Sequence, residues 1–130
     1  MGKSLTRKIL ETHFVKGSME PGEEIFIKVD QTLTHDINAV MTYLAFEAIG
    51  LPRVRTECSV SYLDHNLLYV NNMTPDDHIY LQSVARKHGV YVSRPGNGIC
   101  HAVHVARFGI PGKISMGGDS HTPHGGAIGM

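Results

Sequence analysis

The chain has 130 residues, about the length of one domain that buries roughly two thirds of its unfolded surface. Twelve Lys and Arg balance twelve Asp and Glu, so the formal net charge is zero. No global charge therefore attracts the chain to nucleic acid or to an anionic membrane, and neither is an expected partner. Two cysteines are too few for a disulfide framework. With no apolar segment long enough to cross a bilayer and no signal-peptide core, we expect a cytoplasmic protein.

The first part of the chain predicts two helices separated by one strand. Apolar residues at helical spacing predict an amphipathic helix over residues 4–14. The β-branched and aromatic run at 25–29 predicts a strand. A second helix is predicted over 34–49, with Thr34 as its N-cap and Gly50 directly after its end.

The rest of the chain alternates short strands with helices. A helix is predicted to run from its N-cap Thr74 to His88, because Pro75 suits the first helical position and Gly89 suits the end. The other predicted elements are strands at 57–63, 90–93 and 113–118 and a short helix at 99–109. Residues 1–130 are thus expected to form a single α/β domain with a mostly parallel sheet flanked by helices.

Reactive side chains follow three of the predicted strands. In open α/β sheets, ligands bind outside the carboxyl ends of the strands, so these side chains are candidates for one shared pocket. They are Asp64 and His65 after the first strand, His101 after the second, and Asp119, Ser120 and His121 after the third.

Two of these groups also have simpler interpretations. An acid beside an imidazole, as at Asp64 and His65, is usually a satisfied loop pair, although such an acid also fixes the ring tautomer for proton transfer. His101 and His104 lie three residues apart on a predicted helix, which suits either a metal pair or one pocket residue beside one ordinary helix residue. No third ligand stands at a spacing typical of zinc sites, so the metal reading is disfavoured.

The segment "MGGDSHTPHGG" at 116–126 is either a polar turn or part of a site. Gly, Pro and polar residues favour turns for backbone reasons alone. Glycine pairs, however, let a backbone approach a ligand closely, and consecutive polar groups after a buried strand each need a partner. The residues around Ser120 do not match the G-x-S-x-G pattern of a nucleophile elbow, so a serine hydrolase is disfavoured.

Four motifs taken together carry a family resemblance. The ordered set "QTLTHD", "SVSYLDHN", "RPGNGICHAVH" and "GGDSHTPHGGAIGM" resembles the N-terminal part of the aconitase family. This family of iron-sulfur hydro-lyases includes aconitate hydratase and the large subunit of 3-isopropylmalate dehydratase, and the single-chain bacterial and archaeal type of aconitate hydratase looks closest. The likeness runs from about Gly22 to the last residue. It implies the first part of the aconitase iron-sulfur domain as the fold.

The resemblance also implies an activity and a cofactor. The activity is the reversible dehydration and rehydration of a small hydroxy-carboxylic acid, such as citrate or isocitrate through cis-aconitate. In such a family a 4Fe-4S cluster, held by three cysteines, polarises the substrate hydroxyl and carboxylate as a Lewis acid. By position, Asp64 and His65 are implied to handle the hydroxyl leaving group.

The remaining site residues are assigned in the same way. The resemblance implies that His101 pairs with Asp119 near the hydroxyl or bound water, that Ser120 contacts a substrate carboxylate, and that His121 lies near the cluster. His35 stands where aconitases usually have Gln and the isopropylmalate type has His, so it is implied to bind substrate. The hydroxy acid itself therefore stays open between the citrate type and the isopropylmalate or homoaconitate type.

The chain departs from the family pattern in its cysteines. Neither Cys58 nor Cys100 aligns with a cluster ligand, and both are interpreted as buried small residues. His124 replaces a residue that is usually Asn or Thr and has no assigned role. We therefore expect an N-terminal fragment of a longer protein, lacking its C-terminal domains, that supplies one wall of an active site. Alone, it should neither hold the cluster nor turn over substrate.

A binding module without chemistry is the alternative hypothesis. In that case the His-rich and Gly-rich end of the chain captures a metal ion or a small carboxylate. The absence of a complete ligand set at a recognised spacing counts against it.

Overall fold

The computed structural model describes residues 2–130. Its elements in chain order are α1 (Leu5–His13), β1 (Phe14–Gly17), β2 (Ile25–Ile27), β3 (Gln31–His35), α2 (Asp36–Ile49), β4 (Cys58–Tyr62), α3 (Met73–His88), β5 (Tyr91–Ser93), α4 (Cys100–Phe108), β6 (Ser115–Gly117) and a 3₁₀ helix (Thr122–Ile128). No helix among these residues combines the length and apolar character needed to span a bilayer.

The N-terminal strands form a two-stranded sheet distinct from the main sheet. Ser4 caps α1 by accepting the backbone N–H of Arg7 at 3.2 Å. β1 then pairs antiparallel with β2. The predicted strand at 25–29 therefore lies in this two-stranded hairpin, and its assignment to the parallel sheet is wrong. The helix predicted to reach Phe14 ends one residue earlier, because Phe14 is extended and already pairs with Ile27.

The main sheet has four strands in the order β5, β4, β3, β6, and all neighbouring pairs are parallel. This confirms the predicted α/β class with a parallel sheet flanked by helices. The central strand β3 was not predicted, because two of its three inward-facing residues, Gln31 and His35, are polar and hide the hydrophobic alternation. Gln31 is satisfied internally by donating to Phe108 O at 2.8 Å and contacting His104 Nε2 at 2.9 Å.

Opposite faces of the sheet pack against different helices. One apolar cluster joins α2 and α3 through residues such as Ala39, Tyr43 and Leu81. The other joins the sheet to α4 and consists of Leu33, Val60, Tyr62 and Cys100. The chain runs from β3 to β4 to β5 on one side and then returns through α4 to β6 on the other side of β3. The order of strands therefore reverses between β3 and β6, where ligands bind in folds of this kind.

Helix starts differ slightly from the predicted ones. The N-cap of α2 is His35, not Thr34, since its ring accepts the N–H of Ile37 while Asn38 accepts the N–H of His35. Helix α3 begins at Met73 and has no side-chain cap, so Thr74 lies inside its first turn. The predicted end is correct, because Gly89 adopts φ +77° and closes the helix.

Candidate active site

The predicted site residues meet at the carboxyl edge of the sheet. His35 ends β3, Asp64 and His65 follow β4, and His101 lies in the first turn of α4. Asp119, Ser120 and His121 come one residue after the end of β6. Because β3 and β6 are neighbours at the reversal point of the sheet, their ends bring His35 and Asp119 within 3.2 Å.

The Asp119 carboxylate is the centre of one half of the site. Its Oδ2 accepts the backbone N–H of His121 and lies 3.0 Å from His101 Nε2, while Oδ1 lies 3.2 Å from His35 Nε2. The N–H of His121, the hydrogen bond from His35 and the positive charge available on His101 lower the pKa of Asp119 to about 2. The predicted pair of His101 and Asp119 is therefore present, and its acid stays ionised near neutral pH.

His35 connects this half of the site to the other. The N–H of Ile37 donates to His35 Nδ1 at 3.3 Å, while His35 Nε2 lies 3.2 Å from Asp119 Oδ1 and 3.0 Å from Asn38 Nδ2. One face of the His35 ring stacks on the His65 ring, with centroids 4.1 Å apart and planes inclined by 27°. Since only 4% of the His35 side chain is exposed, its contacts hold the two rings in a fixed relation.

Asp64 and His65 form the second half of the site. His65 Nδ1–H donates to Asp64 Oδ1 at 2.9 Å, which leaves Nε2 of the ring outside that pair. Asp64 Oδ2 accepts the backbone N–H of Cys100 at 2.6 Å, at the start of α4. A carboxylate is favourable beside unsatisfied amides at a helix N-terminus. Asp64 thus ties the loop after β4 to the helix that carries His101.

Ser120 and His121 form the open rim. The His121 ring is 79% exposed, and its Nδ1 lies 3.2 Å from Ser120 Oγ and 3.3 Å from Asp119 Oδ2. Gly117, at the end of β6, permits the following segment to approach closely, because a Cβ on it would lie 2.6 Å from Thr122 Oγ1. His124 is exposed and contributes its backbone N–H to His121 O at 3.0 Å, so its imidazole gains no role from these contacts.

His104 has a structural role in the core. Tyr62 O–H donates to its Nδ1 at 2.9 Å, and its Nε2–H donates to Gln31 Oε1 at 2.9 Å. Burial, together with the nearby His101, lowers the pKa of His104 and keeps the ring neutral. Of the two readings of this histidine pair, the contacts favour one pocket residue beside one internal helix residue.

Sequence reasoning missed the contribution of Asp36. This fully buried carboxylate accepts backbone N–H groups of His65 and Asn66 and faces His78. From the sequence alone, Asp36 is only an acid in the first turn of a predicted helix. Recognition of β3 as a strand would have indicated it, because His35 then ends a strand at the edge where the other site residues lie, and Asp36 follows at the start of α2.

The two cysteines do not fit an iron-sulfur cluster. Cys100 is buried, and Cys58 packs against the same apolar cluster. Burial, followed by the charge of Asp64, raises the pKa of the Cys100 thiol to about 12, and burial raises the pKa of Cys58 as well. A cluster needs thiolates, which both environments disfavour.

Three groups of residues have ligand atoms close enough to share a metal ion. In each group the atoms lie within 4.8 Å of one another. The groups are His35, His65 and Asp119; Asp64, His65 and Cys100; and His101, Asp119 and His121. The same imidazoles and carboxylates are also suited to proton transfer with a small oxygen-containing ligand.

Comparisons with known proteins agree on one family. The model of the aconitase family (aconitate hydratase) matches residues 7–130. Mitochondrial aconitate hydratases of Arthroderma benhamiae and Schizosaccharomyces pombe are each 30% identical to the chain, over 80% and 96% of its length and over 15% and 18% of their own. A 3-isopropylmalate dehydratase large subunit from a Sulfurihydrogenibium species is 29% identical over 99% of the chain and 31% of its own length. The chain thus spans less than a third of these relatives.

Proposed function

Because the chain belongs to the aconitase family, we propose that it supplies one wall of the active site of a hydro-lyase resembling aconitate hydratase. The proposed reaction is the reversible loss of water from a small hydroxy-carboxylic acid. The observation that supports it is the ionised Asp119 between His35 and His101, close to the Asp64 and His65 pair.

We also propose that the protein is located in the cytoplasm, because its two free cysteines fit a reducing compartment.

Dehydration requires one proton to reach the leaving hydroxyl and another to leave carbon. In the proposed mechanism, protonated His65 gives the Nε2 proton to the hydroxyl as the carbon-oxygen bond breaks, and water departs. Asp64 holds the ring by accepting Nδ1–H at 2.9 Å. The base that takes the carbon-bound proton comes from another part of the protein.

The Asp119 half of the site would hold the oxygen atoms of the substrate. His101, oriented by Asp119, would bind the hydroxyl or the water formed from it, and Ser120 would donate its hydroxyl hydrogen to a substrate carboxylate. His121 lies on the open rim, where we propose that it faces the cofactor and its water. These four roles follow from the family resemblance and fit the distances within the site.

The aconitase family typically carries a 4Fe-4S cluster that acts as a Lewis acid on substrate oxygens. Cys58 and Cys100 do not fit as its ligands, because burial raises the pKa of both thiols and disfavours the thiolate form. We therefore propose that cluster thiolates come from the further domains of a longer protein. No step of the proposed mechanism passes through the cluster.

His35 favours a second candidate substrate. Its Nε2 lies 3.2 Å from Asp119 Oδ1 beside the pocket, and the family resemblance links His at this position to the isopropylmalate type. A 3-isopropylmalate or homoaconitate type of dehydratase is therefore the alternative enzyme. Rates with cis-aconitate and with the dehydrated form of isopropylmalate, measured side by side, would distinguish the two.

The test uses the longer protein that carries this chain. We expect His101→Ala and Ser120→Ala to lower the turnover number for cis-aconitate hydration at least about a hundredfold, since each removes a proton-transfer or positioning group. His124→Ala is the matched control, because it removes an exposed imidazole four residues from Ser120 and three from His121. Near-normal rates for the two site variants would remove these residues from the mechanism.

The binding-module alternative is tested on the 130-residue chain alone. Three groups of potential metal ligands are the observation in its favour. Under the hydro-lyase proposal, anaerobic reconstitution should give no broad visible iron-sulfur absorbance and no hydration of cis-aconitate. Calorimetric titration with zinc and with citrate completes the comparison. Tight stoichiometric zinc binding would favour the module.

A further inference from the structure

A buried polar cluster lies behind the loop that carries Asp64 and His65. At its centre is Asp36, whose side chain has no exposed surface. Its Oδ1 accepts the backbone N–H of His65 at 3.2 Å, and its Oδ2 accepts that of Asn66 at 2.8 Å. His78 Nε2 lies 3.1 Å from the same Oδ2. Three donors therefore converge on one carboxylate, and two of them are consecutive amides of the reactive loop.

The hydrogen bonds determine the protonation of His78. An ionised carboxylate only accepts, so His78 Nε2 must carry a proton toward Asp36. In the neutral ring Nδ1 is then an acceptor, and Tyr69 O–H donates to it at 3.1 Å. The Tyr69 and His78 rings also meet edge to face, with centroids 5.6 Å apart. Hydrogen bonds thus run from Tyr69 through His78 to Asp36.

Tyr69 and His65 belong to the same connection between β4 and α3. Asp36 holds the beginning of this connection through two amides, and His78 holds a later point through the Tyr69 hydroxyl. Beyond Leu63, which is buried in the core directly after β4, few apolar contacts anchor it, because Leu67, Leu68 and Val70 are exposed. The position of the loop therefore depends on polar anchors more than on apolar burial.

We infer that Asp36, His78 and Tyr69 form a positioning relay for His65, an inference that rests on the proposed function. Asp36 Oδ1 lies 3.7 Å from His65 Nδ1, beyond hydrogen-bond distance, so it acts on the ring through the backbone. His65 then has two separate supports. Asp64 sets which ring nitrogen carries the proton, whereas the relay sets where the ring lies.

The cost of burying the relay supports a positioning role over a purely stabilising one. A buried carboxylate is costly unless it is fully hydrogen-bonded, and apolar residues of similar volume often stabilise such sites as well or better. All three bonds to Asp36 come from the reactive loop or from the histidine that also holds that loop. Its hydrogen bonds are therefore directed at the site.

The first measurement is amide hydrogen exchange of the full chain by NMR. Asp36→Asn keeps the size of the side chain but replaces one acceptor oxygen with a donor. We expect the amides of His65 and Asn66 to exchange at least about tenfold faster, while the amide of core residue Leu81 is unchanged. Asp76→Asn is the matched control on exposed α3 surface and should alter none of them.

Tyr69→Phe provides a second variant that keeps the fold. Tyr69 is half-exposed, and its hydroxyl is the only group that this substitution removes. We expect the His78 ring nitrogen resonances to shift and the Asn66 amide to exchange about threefold faster, with no change at Leu81. Unchanged His78 resonances, or equal acceleration at loop and core, would overturn the relay.

The second measurement is turnover in the longer protein that carries the chain. We expect Asp36→Asn to lower kcat at least about tenfold and to leave KM within about threefold, because misplacing His65 weakens proton transfer more than substrate binding. A normal kcat in Asp36→Asn, with an active wild type, would overturn the inference and leave the proposed function intact. An inactive wild type with locally faster exchange would overturn the proposed function, while the relay would stand as the support of the loop.

Discussion

The bond between Asp64 and His65 leads to a prediction about which ring nitrogen carries a proton. Asp64 accepts both the N–H of Cys100 and Nδ1–H of His65, and only 6% of its side chain is exposed. Asp64→Asn leaves one acceptor oxygen. Because the Cys100 amide is fixed at the start of α4, we expect that oxygen to remain on it. The new NH₂ group then faces His65 Nδ1, which must accept, so the ring proton moves to Nε2.

The size of the effect follows from the role of the ring. The protonated His65 ring is the form that acts as the acid. In Asp64→Asn its Nδ1 faces a neutral amide in place of a carboxylate, so the positive charge of the ring loses its stabilising partner. General acid–base catalysis contributes roughly 10²- to 10⁴-fold, so we expect kcat to fall at least about a hundredfold. The substitution also replaces a hydrogen bond to a charged group, worth about 1.5–3 kcal/mol, with a weaker neutral one. We expect the free energy of unfolding to fall by no more than that amount, since the bond to Cys100 is kept.

Two assays separate these effects. Long-range proton–nitrogen NMR of the 130-residue chain should report Nδ1–H for His65 in the wild type and Nε2–H in Asp64→Asn. Initial rates of hydration in the longer protein give kcat and KM, and Asp76→Asn serves as a control of equal charge change on exposed surface. An unchanged tautomer, or a kcat within about threefold of the wild type, would refute the reasoning.

Three further predictions concern acid sensitivity and the fold. The pKa of Asp119 is lowered to about 2, so its ionised form stabilises the fold above its unfolded pKa of about 4, and this contribution is lost as the pH falls toward 2. Urea unfolding from pH 6 to pH 3 should therefore show a steeper loss of stability in the wild type than in Asp119→Asn; parallel curves would contradict this. Leu81→Ala, at a fully buried position, should lower the free energy of unfolding by about 2–5 kcal/mol, and a loss below 1 kcal/mol would exclude tight packing there. Gly89→Ala should cost about 1 kcal/mol, because φ is +77°, a backbone conformation that side chains other than glycine rarely adopt; an equal or higher melting temperature would disprove the strain.

Elements with strong local signals could be predicted from the sequence. Helix α3 has Pro near its start, basic residues in its last turn and a glycine after it, and its predicted end is correct. Strand β3 could not be recognised in this way, because Gln31 and His35 occupy buried positions where the pattern requires apolar residues. Their burial depends on partners from distant parts of the chain, namely His104 for Gln31 and Asp119 for His35.

The same limit applies to the site. The rule that ligands bind at the carboxyl ends of parallel strands was enough to expect convergence of Asp64, His101 and Asp119. It could not give the contact between His35 and Asp119, which depends on β3 and β6 being neighbours with a particular register. Nor could it give the bonds of Asp36, since its amide partners lie about 30 positions later in the chain.

The polar character of β3 explains how two clusters of site residues are held together. Buried polar groups are tolerated only when hydrogen-bonded, so each polar residue on β3 and at the start of α2 requires a partner on another element. Asp119 is the partner of His35, and the loop after β4 is the partner of Asp36. Since His35 also stacks on His65, a displacement of either loop leaves a buried group without its hydrogen bond or its ring contact. The feature that hides this strand from hydrophobic pattern analysis is therefore the same feature that fixes the geometry of the site.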